Sequence, residues 1–155
     1  MPLKNPIFKH ITSVVDSMGL EAYVVGGYVR DYYLHRPSSD IDVVVVGSGV
    51  AVAEELAKRL GAKVTIYKTY GTAMLRWHDT EIEFVGARRE SYTPQSRNPL
   101  VEPGTLEDDQ RRRDFTINAM AWSVNGHNFG QLVDPFGGMY DLEDCIIRTP
   151  CDPDI

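Results

Sequence analysis

The sequence predicts an α/β (α+β) domain with a mixed sheet of about five strands flanked by helices. β-Branched runs of strand length alternate with segments of helical apolar spacing, and glycines punctuate the joins. The composition, 43% hydrophobic and 25% charged over 155 residues, is that of one ordinary folded domain. At this length roughly two-thirds of the unfolded surface can be buried, so neither disulfides nor a structural metal is needed. Cys145 and Cys151 lie close together with no CxxC and no histidine at ligand spacing, and read as reduced bystanders.

Taken in order, Ile7, Phe8, Ile11, Val14, Val15 and Met18 recur at helical spacing, with Asn5 as N-cap, Pro6 at the first helical position and Gly19 as stop. Residues 22–25 form a β-branched run ending at Gly26-Gly27, and residues 28–35 can form a helix before the Pro37-Ser38-Ser39 break. Asp40–Val46 is valine-rich and reads as a strand despite two aspartates. Gly47-Ser48-Gly49 then opens a helix with Leu56 and Leu60 that stops at Gly61. Lys63–Tyr67, Thr72–Trp77 and residues 81–87 complete the strands. Between 90 and 110, Pro94, Asn98-Pro99 and Pro103-Gly104 interrupt a polar stretch too long for an ordinary connection, which predicts a mobile loop. Arg111-Arg112-Arg113-Asp114 leads into an expected helix over 115–122, followed by a turn at Asn125-Gly126 able to close a hairpin. Residues 134–140 read as irregular. The expected organisation is one domain over 1–142, with 143–155 beginning a linker to a second domain.

No apolar run approaches the ~18 residues of a membrane span, and Met1–His10 lacks the layout of a signal peptide, so a cytoplasmic protein without a membrane partner is expected. Sixteen Lys and Arg against 22 Asp and Glu give a net charge of −6, the wrong sign for a domain that binds nucleic acid by covering its backbone. Phosphate recognition must then come from local clusters, or from divalent metals held by carboxylates.

Three clusters qualify. Asp40 and Asp42 share one face of a strand, where two like charges repel and lose hydration unless a divalent cation lies between them; the alternative is that they sit solvated at the strand's exposed start. Gly26-Gly27-Tyr28-Val29-Arg30-Asp31 joins a strand to a helix, so that backbone N–H groups and Arg30 could cradle an anion; the plainer reading is a tight turn with Arg30 paired to a surface carboxylate. Arg112 and Arg113 at an expected helix start oppose the helix dipole unless an anion neutralises them, and Asn118 lies one turn beyond Asp114; the alternative is a solvated basic run. Glu83 is a third candidate carboxylate, as general base or metal ligand, although Glu81 shares its face and the spacing does not choose between them.

Jointly, Gly26-Gly27-x-Val29-Arg30-Asp31, Leu34, Asp40-Ile41-Asp42 and Arg112-Arg113-Asp114-Phe115-Thr116-Ile117-Asn118-Ala119 resemble the catalytic head of the class II tRNA nucleotidyltransferase and poly(A) polymerase family, within the DNA polymerase β superfamily. Glu83, Arg88-x-Glu90-x-Tyr92 and Asp134-Pro135-Phe136-Gly137-Gly138-x-x-Asp141-Leu142 follow in family order. The resemblance implies that Asp40 and Asp42 bind two Mg²⁺ ions, with Glu83 the third catalytic carboxylate. It implies that Gly26, Gly27 and Arg30 hold the triphosphate, that Arg112, Arg113, Asp114 and Asn118 hold phosphates and ribose, and that residues 134–142 flexibly link head to neck. CTP and ATP are the implied substrates, added to the 3′ end of tRNA with release of pyrophosphate. The family's neck motif, Glu-Asp-x-x-Arg, is not reached by this sequence, so tRNA docking and base selection are expected from C-terminal domains beyond it. A poly(A) polymerase of the same family and an inactive nucleotide-binding module are the alternatives. A dinucleotide-binding domain fails because Val52 occupies the third glycine position and Asp42 lies in the strand feeding the loop.

Overall fold

The computed structural model describes residues 3–38, 40–67, 71–91 and 100–150. The chain begins with α1 (Ile7–Met18), β1 (Glu21–Val25), α2 (Gly27–Tyr33), β2 (Asp40–Val46) and α3 (Gly49–Leu60). Strands β3 (Lys63–Tyr67), β4 (Thr72–Trp77) and β5 (Thr80–Gly86) follow, then a hairpin of β6 (Arg88–Ser91) and β7 (Leu100–Pro103). Helix α4 (Leu106–Arg111), β8 (Ala121–Ser123), β9 (Leu132–Val133) and α5 (Gly138–Glu143) complete it.

A seven-stranded sheet runs in the order β3-β4-β5-β2-β1-β8-β9. Its one parallel pair is β2 with β5, whose connection passes through α3, and the remaining pairs are antiparallel. The expected mixed sheet with helices is therefore present, with more strands than the five expected. The additional pair, β8 and β9, is too short for an alternation pattern to reveal.

Period-2 alternation divides this sheet into two faces. Ile41, Val43 and Val45 of β2 and Ile82 and Phe84 of β5 bury with Phe8, Ile11 and Val14 of α1 and Leu56 of α3 in the main core. Val25, Val44, Val85 and Ala121 form a second cluster on the other face with Leu106 of α4. Asp40, Asp42, Glu81 and Glu83 alternate with the main-core set and so belong to this second face. The second face is therefore divided, with an apolar cluster under α4 and the four carboxylates at the start of β2 and β5.

Helix α1 begins one residue later than expected, with Pro6 at the cap position, yet Asn5 still does the capping work: its Oδ1 accepts from the Ile7 N–H at 3.0 Å. Three expectations are corrected. Residues 115–122 do not form a helix; a 3₁₀ turn at Thr116–Asn118 leads into β8, because residues 121–123 pair with 25–23 of β1 and bury Trp122 completely. The stretch 90–110 is not all loop, since it holds the β6–β7 hairpin and α4, whose start is fixed by a reciprocal capping box between Thr105 and Asp108. Its expected mobility lies, for 92–99, outside the described residues, as do Tyr92, Cys151 and the end of the expected linker. Residues 134–140 are likewise not wholly irregular: Asp134 accepts from the N–H groups of Gly138 and Met139 at 2.7 and 2.9 Å and starts α5. The turn at Asn125-Gly126 does join an antiparallel pair, β8 and β9, through a 3₁₀ turn at Gly126–Asn128. No helix among the described residues is long and apolar enough to cross a membrane.

Candidate active site

The parallel register of β2 and β5 places Asp40 opposite Glu81 and Asp42 opposite Glu83. All four carboxylates line one cavity of about 250 Å³, together with Ile41 and Met74. Asp40 is exposed at the strand's start, as the solvated alternative requires, whereas Asp42 is half-buried. Burial pushes the Asp42 carboxyl above the usual carboxylate range, and Glu83 and Asp40 push it further, while Arg113 pulls it back. Glu81 is exposed and faces Arg76 at 3.8 Å, an ion pair on the solvent side. Glu83 is half-buried opposite Asp42, so the geometry favours Glu83 over Glu81 as the carboxylate coupled to the pair.

Among the described residues, no group of three or more His, Cys, Asp or Glu side chains is arranged to hold a metal ion. Two hard oxygen donors with like-charge repulsion nevertheless suit magnesium, which commonly takes one or two carboxylates and completes its shell with water and phosphate oxygens. Asp40 and Asp42 offer two oxygen donors of that kind, side by side on one strand face.

The glycine turn comes directly to this pair. Gly26 has φ 75° and ψ −136°, a conformation that side-chain-bearing residues avoid. A Cβ at Gly26 would lie 3.6 Å from Arg113 Nη1 and 3.8 Å from both Asp42 Oδ2 and the Asn118 carbonyl oxygen. Three separate sequence segments therefore meet within a side chain's width of Gly26. Arg30 folds back over Gly27, where a Cβ would stand 3.3 Å from its Nη2. Its guanidinium donates to Asn118 Oδ1 at 2.7 Å and pairs with Asp31 at 3.2 Å, so the plainer reading of Arg30 is also realised, beside the candidate cradle rather than away from it. Asn118 Nδ2 in turn donates to Asp114 Oδ1 at 3.1 Å, and a 3₁₀ turn, not the expected helix, brings the two side chains together.

The dipole argument for Arg112 and Arg113 is corrected. They follow the C-terminus of α4, where positive charge is favoured, and no helix start lies beneath them. What holds them is Asp109, a residue the motif reading passed over. Its carboxylate is fully buried and accepts from Arg112 Nη2 at 2.9 Å and from Arg113 Nε and Nη2 at 3.2 and 3.0 Å. The available signal was its spacing, three and four residues before two arginines. Arg112 Nε is buried with no acceptor among the described residues. Gln110 Nε2 donates to the carbonyls of Ala119 and Val133 at 2.8 and 3.0 Å, fastening α4 to the chain flanking β8 and to β9.

The sequence profile described as Poly A polymerase head domain matches residues 22–148, which contain every one of these groups. The chain belongs to the poly(A) polymerase head-domain family. Within that family it is 48% identical over 130 residues to an A-adding tRNA nucleotidyltransferase of Aquifex aeolicus, covering 84% of this chain and 16% of the relative. It is 38% identical over 151 residues to a CCA-adding enzyme of Bacillus velezensis, covering 96% of this chain and 35% of that one. A crystal structure of a tRNA nucleotidyltransferase complexed with a primer tRNA and an incoming ATP analogue matches with a TM-score of 0.81 and 43% identity, over 91% of this chain and 39% of the other. The head-domain fold is thus shared, and the chain spans about a third or less of the length of these relatives.

Proposed function

We propose that this head carries out magnesium-dependent nucleotidyl transfer, adding CMP or AMP from CTP or ATP to the 3′ end of tRNA, with the tRNA held mainly by other domains of the protein to which the head belongs. The observation that carries the reading is the convergence at Gly26 of the Asp42 carboxylate, the Arg113 guanidinium and the Asn118 backbone. A carboxylate pair suited to divalent metal thus stands beside cations suited to phosphate. Magnesium bound by Asp40 and Asp42 would neutralise the transferring phosphate and lower the pKa of the attacking hydroxyl.

The chain's own residues divide the remaining work. Arg30, Arg112 and Arg113 bind and orient the triphosphate through charge-assisted hydrogen bonds, and Gly26 and Gly27 leave room for it to approach the backbone. Asp114 and Asn118 offer an acceptor and an amide to a ribose hydroxyl. Glu83 accepts the proton of the attacking 3′-hydroxyl. That oxygen bonds to the α-phosphorus, the bond from the α-phosphorus to the bridging oxygen breaks, and pyrophosphate leaves toward the arginines. The head is proposed to extend to about residue 142, with the residues after α5 leading toward the domains that hold tRNA.

The test is incorporation of labelled CMP and AMP into tRNA lacking its 3′ end by the longer protein, with Mg²⁺. Asp40→Ala and Asp42→Ala are each expected to reduce turnover by at least about a thousandfold, as loss of a group acting in the transition state does. Retained turnover in both folded variants would overturn the metal assignment.

A further inference from the structure

We propose that Asp109 is the positioning residue of the phosphate-binding arginine pair: its buried carboxylate fixes which edge of each guanidinium is presented to a triphosphate. This rests on the reading of the site as a nucleotide site and deepens it.

Asp109 has no exposed surface, so it cannot touch a ligand and can act only through its neighbours. Both of its oxygens are engaged, Oδ1 by Arg112 Nη2 at 2.9 Å and Oδ2 by Arg113 Nε and Nη2 at 3.2 and 3.0 Å. A guanidinium is planar and rigid, so anchoring the Nε–Nη2 edge of Arg113 orients the whole fork. The atom left over is Nη1, and Nη1 is the atom that stands 3.6 Å from the Cβ position of Gly26, on the side of Asp42. The anchored edge and the presented atom are therefore complementary.

The same carboxylate lets two cations sit on adjacent residues without fully repelling each other, leaving the trio with one net positive charge. The two guanidinium side chains keep 26% and 19% exposure, so they are open to a ligand while their anchor is closed to it. The anchor itself is fixed at both ends of its helix, by the Thr105–Asp108 capping box and by the buried Gln110 amide. A fixed anchor beneath partly exposed, ligand-facing side chains is the arrangement that preorganises a binding site.

Asp109→Asn retains the shape but replaces one acceptor oxygen by an amide that cannot accept from a guanidinium. Binding of inorganic pyrophosphate to this chain, measured by calorimetry without metal, is expected to weaken about tenfold in a variant with unchanged far-ultraviolet dichroism. Asp109→Glu keeps the charge and is expected to lose less. Adding Arg113→Ala to Asp109→Asn is expected to cost less affinity than Arg113→Ala alone, a non-additivity that general destabilisation would not produce. Wild-type or tighter pyrophosphate binding by folded Asp109→Asn, or strictly additive losses, would overturn the proposal. Should the asparagine variant fail to fold, Asp109→Glu decides, since wild-type affinity in that folded variant would also overturn it. If the unsubstituted chain binds pyrophosphate no better than an Arg112→Ala, Arg113→Ala double variant, the nucleotide reading itself fails, a result distinguishable from the failure of Asp109 alone.

Discussion

Asp42 carries a conflict that the fold leaves standing. It is held half-buried beside Glu83 and Asp40, with Arg113 supplying attraction, and the balance pushes its carboxyl above the ordinary value of 3.8. A carboxyl whose folded value exceeds its unfolded one takes up a proton more readily in the folded state. Its contribution favours the fold in acid and is lost as pH rises through the raised value. Asp42→Asn removes the charge and keeps the shape, so its metal-free melting temperature is expected to exceed that of the unsubstituted chain at neutral pH. The gap should close as pH falls from roughly 7 toward 4. Melting curves across that range check it; a gap that does not change with pH, or a variant that melts lower throughout, would show that the repulsion is not felt. The same residue shows why a site can oppose stability: the charge that weakens the fold is the one proposed to hold a metal.

At the scale of elements, the decisive contact is the seating of α5 on the 3₁₀ turn that carries the end of the arginine segment. Asp141 is buried and accepts from the Thr116 hydroxyl at 2.6 Å, and Arg148 returns to the same place, its carbonyl accepting from the Thr116 N–H at 2.8 Å. Gly138 makes the approach possible, because a Cβ there would overlap the Thr116 carbonyl oxygen and come within 2.8 Å of Met120 Cγ. Gly138→Ala must push α5 away and is expected to destabilise by about 1–3 kcal/mol. Thr116→Val strips a donor from a buried carboxylate and is expected to cost a similar ~1–3 kcal/mol. Urea midpoints measure both, and unchanged midpoints would mean that α5 is not seated as described. Thr116 lies between Asp114 and Asn118, so either change should also disturb the hydrogen bond joining those two side chains. Over 138–143 the segment expected to link head to neck forms α5, packed on the 3₁₀ turn through Asp141 and Thr116.

For the whole molecule, the charge balance and the site chemistry point the same way. The groups that converge at the site are carboxylates, arginines and an asparagine suited to metal, phosphate and ribose, and the chain as a whole carries a net charge of −6. This chain is therefore expected to bind Mg²⁺–NTP weakly, with the four bases differing by less than the ~1–3 kcal/mol of a good bidentate base contact. Its affinity for tRNA should be feeble at physiological salt, because no excess of positive charge covers a long phosphate backbone. Titration with all four triphosphates and with tRNA tests both halves; a tenfold preference for CTP or ATP, or sub-micromolar tRNA binding, would place specificity within the head.

Most of the scaffold was legible because its signals are local. A valine run between the Pro37-Ser38-Ser39 break and Gly47 defined β2, and Lys63–Tyr67 and Thr72–Trp77 formed the expected strands without change of bounds, since alternation and turn residues act over a few neighbours. Period-2 geometry alone put Asp40 and Asp42 on one face, and motif order named the arginine segment before any contact was known. What the sequence could not decide were matters of pairing. Residues 115–122 carried enough apolar character for a helix, and only the open edge of β1 made their end a strand. That Glu83 is half-buried opposite Asp42, while Glu81 faces solvent and Arg76, follows from the pairing of β5 with β2 and β4, which the alternation of either glutamate does not reveal. Asp109 was passed over because it fell in a stretch read as loop, and its spacing before two arginines takes on meaning only once a helix and its packing bury it against them. Local propensity and periodicity are written in neighbouring residues; register, burial and the partner of a charge are set by segments distant in the chain, and only the tertiary structure brings those together.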